Sequence, residues 1–133
     1  MEIQDMLKNY KSITVVGLSR DEAKYSYKVS KFMQEAGYKI IPINPLAEEL
    51  LGEKVYRSIE EIDFSPEIVD VFRPGEECLE ITKTAVAKGA KAIWLQEGIM
   101  NDEAEAYAEA NGVAFVQNRC IMKEYVKYFN GGK

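Results

Sequence analysis

Ile13-Thr14-Val15-Val16-Gly17-Leu18-Ser19-Arg20 is a β-branched apolar run that stops at one glycine and turns into a polar, basic segment, leading on to Val29-Ser30-Lys31-Phe32-Met33. The pattern predicts a strand that empties into a helix N-terminus through Gly and Ser. The first N–H groups of a helix have no partner within it, and the helix dipole places positive charge at that end. Such a turn favours an anion, a phosphate above all.

Outward from this cradle the chain alternates. Ile3, Met6 and Leu7 fall at helical spacing in a lead-in helix over residues 2–10, and the first strand follows over residues 12–16. Val29, Phe32, Met33 and Ala36 recur at i, i+3, i+4 and i+7, giving a helix with one core-facing stripe that ends at Gly37. Strand two spans residues 39–43 and ends at Asn44-Pro45; residues 46–51 read as a helical turn closed by Gly52, followed by the extended piece Lys54-Val55-Tyr56. Ser58 and Glu61 have the spacing of a capping box, predicting a brief helix before strand three at residues 68–72. A helix from about Pro74 to Lys88, strand four at residues 91–95, a helix capped by Asn101 or Asp102, strand five at residues 113–116 and a last helix at residues 121–129 complete the reading.

Three times, at Gly37, Gly89 and Gly112, a helix ends in glycine and an apolar strand begins within a few residues. This is the signature of βαβ units and of a parallel sheet covered on both faces. Right-handed crossovers then predict an α/β, doubly wound (Rossmann-like) sheet of five parallel strands in the order 3-2-1-4-5, in a single domain over residues 1–133. Ligands of such folds sit at the carboxyl ends of the strands near strand one. Polar residues follow each later strand and are expected to aim at that crevice: Asn44, Arg73, Gln96-Glu97-Gly98 and Asn118-Arg119-Cys120.

Composition narrows the chemistry. The chain has no histidine, which removes the commonest general base, Ser-His and Cys-His nucleophile pairs and most transition-metal sites. A net charge of −5 gives no footprint for nucleic acid or an anionic membrane. No apolar run approaches a membrane span, no secretory leader is evident, and the only cysteines are Cys78 and Cys120, so the expected setting is the cytoplasm with both thiols reduced. The acid pairs Glu48-Glu49, Glu60-Glu61 and Glu76-Glu77 read as solvated helix faces.

The choice of nucleotide follows from what the cradle lacks and holds. A dinucleotide fingerprint requires G-x-G-x-x-G and an acid at the end of strand two; here Leu18-Ser19-Arg20-Asp21-Glu22 follows Gly17, and strand two ends in Asn44-Pro45. Arg20, Lys24 and Lys28 cluster at the first helix instead, which suits a ligand with more phosphate charge than a bare dinucleotide.

Four ordered segments then carry a family resemblance: Val15-Val16-Gly17-Leu18-Ser19 with Lys24 and Ser26; Gly37-Tyr38-Lys39-Ile40-Ile41-Pro42-Ile43-Asn44-Pro45; Val69-Asp70-Val71-Phe72-Arg73; and Ile93-Trp94-Leu95-Gln96-Glu97-Gly98, with Arg119-Cys120 and Glu124 after it. The chain resembles the stand-alone CoA-binding proteins, which are similar to the CoA-binding Rossmann domain of succinyl-CoA synthetase α subunits and acyl-CoA synthetases. The resemblance implies coenzyme A as cofactor. Gly17, Leu18 and Ser19 would hold the diphosphate, Lys24 would supply charge, and Ser26 would open the helix beneath. Asn44 and Pro45 would border the adenosine half, Phe72 and Arg73 would flank the nucleotide, and Gln96 with Gly98 would leave room for the pantetheine arm. The chain departs from the family pattern at Arg20 and Tyr25, where prolines are common, and at Pro74, where a second arginine is common. It departs again at Asn118 and Ile121 around Arg119-Cys120.

Several of these residues also have plain structural readings. Arg73 is positioned to pair with Glu76 or Glu77, Trp94 reads as core with an indole N–H needing a partner, and Cys78 lies on an apolar helix face with Ile81 and Ala85. The expected function is a non-catalytic module binding CoA or acyl-CoA as carrier, sensor or partner domain. Two alternatives stay open: a thiol-dependent enzyme using Cys120, and an NAD or other nucleotide-binding protein. A protein partner or self-association also stays open.

Overall fold

The computed structural model describes residues 1–130. In chain order its elements are α1 (Ile3–Asn9), β1 (Ser12–Val16), α2 (Tyr25–Glu35), β2 (Lys39–Ile43), β3 (Glu49–Leu50), β4 (Glu53–Lys54), β5 (Ile68–Val71), α3 (Cys78–Ala87), β6 (Ala92–Leu95), α4 (Asp102–Ala110), β7 (Ala114–Val116) and α5 (Ile121–Tyr125). The last helix continues past α5 as a π-helical turn, Val126–Asn130.

Five parallel strands form the main sheet in the order β2-β1-β5-β6-β7. The doubly wound sheet is as expected, but its third position is taken by the short extended piece at Tyr56, so the positions read 3-2-1-4-5-6 and the strand expected third, residues 68–72, is the fourth. Tyr56 bridges Ile43 in parallel on the side of β2 away from β1. The residue 68–71 strand therefore lies on the other side of β1, where Val15 stands opposite both Pro42 and Asp70.

Pro42 is tolerated in this sheet for a geometric reason. Its carbonyl accepts from Tyr56 N–H at 3.0 Å and the next-but-one residue, Asn44, donates its N–H to Tyr56 O at 3.0 Å, so the even-numbered backbone groups of β2 face outward. The missing Pro42 N–H thus falls on the edge side and breaks no bond to β1.

Alternation along the strands feeds two cores. Ile13, Val15, Ile40, Ile68, Ala92 and Trp94 face a layer closed by α1, α2 and α5, with Met6, Leu7, Val29, Met33 and Ile121 buried there. Val16, Ile41, Ile43, Val69, Val71, Ile93 and Leu95 face the other layer, where Ile59, Ile62, Cys78 and Ala85 cover them. At the amino end of the sheet, the Glu67 carboxylate accepts from Lys11 N–H, Ser12 N–H and Ser12 Oγ at 2.9–3.0 Å, pinning the start of β1 to β5.

Three local expectations are corrected. Residues 46–51 do not form a helical turn. Asn44 Oδ1 accepts from the N–H groups of Leu46 and Ala47 at 2.7 and 2.9 Å, a side-chain turn that competes with helix. The chain then runs into the antiparallel hairpin β3–β4. At its tip Leu51 and Gly52 both have positive φ, 55° and 75°, as a tight two-residue hairpin turn requires. Leu51 is held there by Gln34 Nε2, which donates to its carbonyl at 2.8 Å.

The second correction is the capping box. Ser58 makes no side-chain cap on the 3₁₀ turn Ile59–Glu61; the Glu61 carboxylate reaches instead to Arg57 N–H at 2.6 Å. Third, the helix expected from Pro74 begins as the 3₁₀ turn Gly75–Glu77 and becomes α-helical only at Cys78. The cap of α4 is Asn101, whose Oδ1 accepts from Ala104 N–H at 2.9 Å.

Candidate functional site

The carboxyl ends of β1, β2 and β5 meet at Gly17, whose N–H donates to Ile43 O at 3.4 Å. The glycine φ is +89°, and a Cβ there would lie 2.8 Å from Phe72 O and 3.0 Å from Arg73 Cδ. Only glycine fits, for backbone conformation and for space. The turn is therefore pressed against the end of β5, and Phe72 N–H donates back to Val16 O at 2.9 Å.

Beyond Gly17 the loop is stitched by its own polar groups. The Leu18 side chain is buried, and its carbonyl accepts from Asn44 Nδ2 at 2.8 Å. Ser19 N–H donates to Ser26 Oγ at 3.0 Å, and Ser19 Oγ accepts from Asp21 N–H at 3.0 Å. Asp21 in turn accepts from Ala23 N–H at 2.9 Å. Ser26 and Asn44 thus shape the cradle from beneath and from the side. The sequence reading placed both next to a ligand; the hydrogen bonds give them a building role as well. Pro45 follows Asn44 on the surface.

The first turn of α2 is left uncapped. Lys24 is its N-cap in extended conformation, no side chain caps it, and no acidic residue lies in the first turn. Tyr27 and Lys28 N–H both turn back to Lys24 O, so the Tyr25 and Ser26 N–H groups have no acceptor among the described residues. Arg20, Lys24 and Lys28 stand exposed around them. A basic residue at this position opposes the helix dipole unless an anion is present.

Two expected contacts are turned elsewhere. The Arg73 guanidinium pairs with the Glu77 carboxylate through two bonds, Nε to Oε1 at 3.0 Å and Nη2 to Oε2 at 2.9 Å. The pair holds the Glu77 carboxyl below its usual range and raises the arginine further. Phe72 beside it is half-buried. Gln96, expected to face the crevice, turns inward: it is 1% exposed, and its Nε2 donates to Asp70 Oδ1 at 2.7 Å. Asp70 is likewise buried, and burial pushes its carboxyl up to about 8 against the opposing effect of that hydrogen bond. Gly98 N–H donates to Asn118 Oδ1 at 2.8 Å, tying the loop after β6 to the loop after β7.

The last loop closes over the first. Trp94 is fully buried, as expected of a core residue, and its indole N–H finds its partner in Arg119 O at 2.8 Å. Cys120 is 2% exposed, and its Sγ lies 2.8 Å from the hydroxyl of Tyr25, the first residue of α2. Partial burial, then Cys120, then Glu97 all raise the Tyr25 hydroxyl. Nothing in the sequence signalled this contact, since it joins residues 95 positions apart. Glu97 pairs with Lys123 at 2.8 Å beside it. Cys78 packs as expected, its thiol pushed up to about 11 mainly by burial. Among the described residues no cluster of Cys, Asp and Glu side chains is arranged to hold a metal ion, and no helix is long and apolar enough to cross a membrane.

Solved structures of related proteins share this fold. A protein of Bacillus subtilis, the uncharacterized YneT, is 40% identical over 120 residues, which are 90% of this chain and 89% of that one. A solved structure of a hypothetical protein from Pyrococcus horikoshii superposes with a TM-score of 0.90 at 37% identity, covering 95% of this chain and 89% of the other. The alpha subunit of an ADP-forming acetate–CoA ligase II from Pyrococcus furiosus is 31% identical over 90 residues, 67% of this chain but 20% of the subunit. The dinucleotide-forming acetyl-coenzyme A synthetase 1 of Ca. Korarchaeum cryptofilum, solved with phosphate and ADP, superposes with a TM-score of 0.73 at 26% identity, over 86% of this chain and 27% of that one. The chain thus spans about a quarter or less of those larger proteins. Residues 11–126, from the start of β1 through the clasp at Cys120, match the model of the CoA binding domain, and the chain belongs to that family.

Proposed function

We propose that the chain binds coenzyme A, free or acylated, across the carboxyl ends of β1, β2, β5 and β6 as a non-catalytic carrier, sensor or partner module. The observation that carries this reading is the open first turn of α2, with two N–H groups lacking acceptors and Arg20, Lys24 and Lys28 around it without an acidic cap. The diphosphate lies on this turn, against Gly17, Leu18 and the Ser19 hydroxyl. Lys24 and Arg20 face its charge, and Ser26 holds Ser19 in place from below. Asn44 and Pro45 border the adenosine half. Phe72 flanks the nucleotide, and Arg73 does so by exchanging Glu77 for a phosphate, a swap that a half-exposed ion pair permits at low cost. Gly98 leaves room for the pantetheine arm, and Gln96 acts on that loop from inside the sheet.

The non-catalytic role is supported by the absence of histidine from the sequence and by the burial of both thiols. Free Cys78 and Cys120 fit a reducing compartment such as the cytoplasm. The alternative of thiol chemistry at Cys120 requires Tyr25 to move first, because the hydroxyl occupies the sulfur's hydrogen-bonding position.

Titration calorimetry with CoA, dephospho-CoA and NAD at one salt concentration tests the reading. The expected result is CoA bound more tightly than dephospho-CoA, with NAD not bound. Binding of none of the three overturns it and leaves a shared fold without the shared ligand.

A further inference from the structure

A buried polar pair lies inside the sheet. Asp70 is on β5, the middle strand, in register with Val15 on β1 and Trp94 on β6, and is 1% exposed. One of its oxygens accepts from Gln96 Nε2 at 2.7 Å. No Lys or Arg among the described residues pairs with it. Helices α1, α2 and α5 pack on this face, and none of the titratable groups on them, Asp5 and Lys8, Tyr25, Tyr27, Lys28, Lys31 and Glu35, or Lys123, Glu124 and Tyr125, shifts its carboxyl. Burial raises it to about 8, and only the Gln96 bond acts the other way.

Gln96 is as deeply buried as its partner, and its Oε1 has no hydrogen-bond partner. An ionised carboxylate without a cation and an amide oxygen without a donor are both strongly unfavourable in a protein interior. A single proton on the second oxygen of Asp70 removes both faults. It cancels the charge and supplies the donor that Gln96 Oε1 lacks, so that acid and amide face each other through two bonds.

We propose that Asp70 is a neutral carboxylic acid that donates to Gln96 Oε1, and that this proton braces the carboxyl ends of β5 and β6, its loss loosening the loops that follow them. Gln96 opens the second of these loops: its N–H donates to Val71 O at 3.3 Å, and its carbonyl accepts from Ile99 N–H at 2.9 Å. Phe72 and Arg73 follow Asp70 directly on the first. Asp70 is a positioning residue. Its bearing on ligand affinity rests on the CoA reading above, whereas the proton and the brace do not.

Carboxyl carbon NMR on the full chain labelled at its five aspartates tests the proposal without any ligand. One aspartate is expected to stay protonated at neutral pH and to titrate in the alkaline range. The backbone amides of Phe72, Arg73, Gly98 and Ile99 should shift with the same midpoint. Asp70→Asn, which keeps a donor facing Gln96 Oε1, should abolish both alkaline titrations. Five aspartates ionised at neutral pH, alkaline shifts that persist in Asp70→Asn, or loop amides that ignore the titration each overturn the proposal. Gln96→Leu is the second variant: it removes the acceptor of the Asp70 proton and the link between the two strand ends, so the alkaline shifts of the Gly98 and Ile99 amides should be lost while the carboxyl still titrates, and amide shifts that persist count against the pair. Because none of these readings needs ligand, a chain that fails to bind CoA disproves the functional reading alone.

Discussion

The hydroxyl of Tyr25 and Sγ of Cys120, 2.8 Å apart, join the helix that opens at the first loop to the loop that closes the chain. Replacing Tyr25 by Phe removes this bond and keeps the ring. The expected result is a loss of about 1 kcal/mol in stability, the net worth of one such bond. Cys120 should also react faster with a disulfide reagent, by about tenfold, while Cys78, fully buried at the start of α3, stays silent. Thiol-release kinetics on Tyr25→Phe and on Tyr25→Phe with Cys120→Ala separate the two sulfurs; equal rates in parent and variant would show that the contact does not guard the thiol.

Lys24 is expected to affect folding and binding in opposite directions. Lys24→Ser supplies the missing N-cap and should stabilise the fold by about 1 kcal/mol. The same change removes a charge from the phosphate cradle and should weaken CoA binding by about tenfold, roughly 1.4 kcal/mol. Chemical denaturation and calorimetry on one preparation read both effects. A variant that gains stability with unchanged CoA affinity would remove Lys24 from the site.

Gly17→Ala combines a strained backbone with a Cβ placed 2.8 Å from Phe72 O. Adopting a positive φ alone costs a non-glycine residue about 1–2 kcal/mol, and the contact with a backbone oxygen adds to it. A urea midpoint unchanged from the parent would mean that the β1 turn can swing away from β5.

Acid and alkali should act on different ends of the sheet. The Glu67 carboxyl is held below its usual range despite its desolvation, by the Lys11 N–H, then the Ser12 hydroxyl and N–H, with Lys91 nearby. Its stabilisation is therefore present above the ordinary carboxylate range and is lost as pH falls through the depressed value. Glu67→Gln should destabilise the protein at neutral pH and differ less from the parent as the solution is acidified.

Asp70 has the opposite sign. Its folded value of about 8 lies above the ordinary 3.8, so between the two the unfolded chain binds fewer protons than the folded one. Its contribution is full below the lower value and is lost as pH rises through the upper one. Asp70→Asn should flatten this slope and surpass the parent in urea midpoint at about pH 9. If Asp70 braces the ligand loops, the CoA affinity of the parent should also fall over that range relative to the variant.

The strands and the cradle were legible in the sequence because local signals agreed there. Apolar runs that follow Gly37, Gly89 and Gly112 place β2, β6 and β7, the run that ends at Gly17 places β1, and the basic cluster after Gly17 lies where the helix N-terminus is open. What was not legible depends on which polar group wins a partner. Asn44 took the N–H groups of Leu46 and Ala47 and so replaced a helical turn with a path into a hairpin. Glu77 claimed Arg73 and Asp70 claimed Gln96, turning two strand-end residues away from the crevice. The Tyr25–Cys120 contact could not be read from spacing, because it depends on how β7 and α2 converge in three dimensions.

Pro42 has a further effect beyond its tolerance in the sheet. The rim of β2 presents a carbonyl already used by Tyr56 and, at Pro42 itself, no donor at all. A strand from another molecule seeking to extend the sheet along this rim would find the ladder interrupted at its centre. Exposed rims of this kind template aggregation when they are long and regular. Here the ring of one residue limits that hazard.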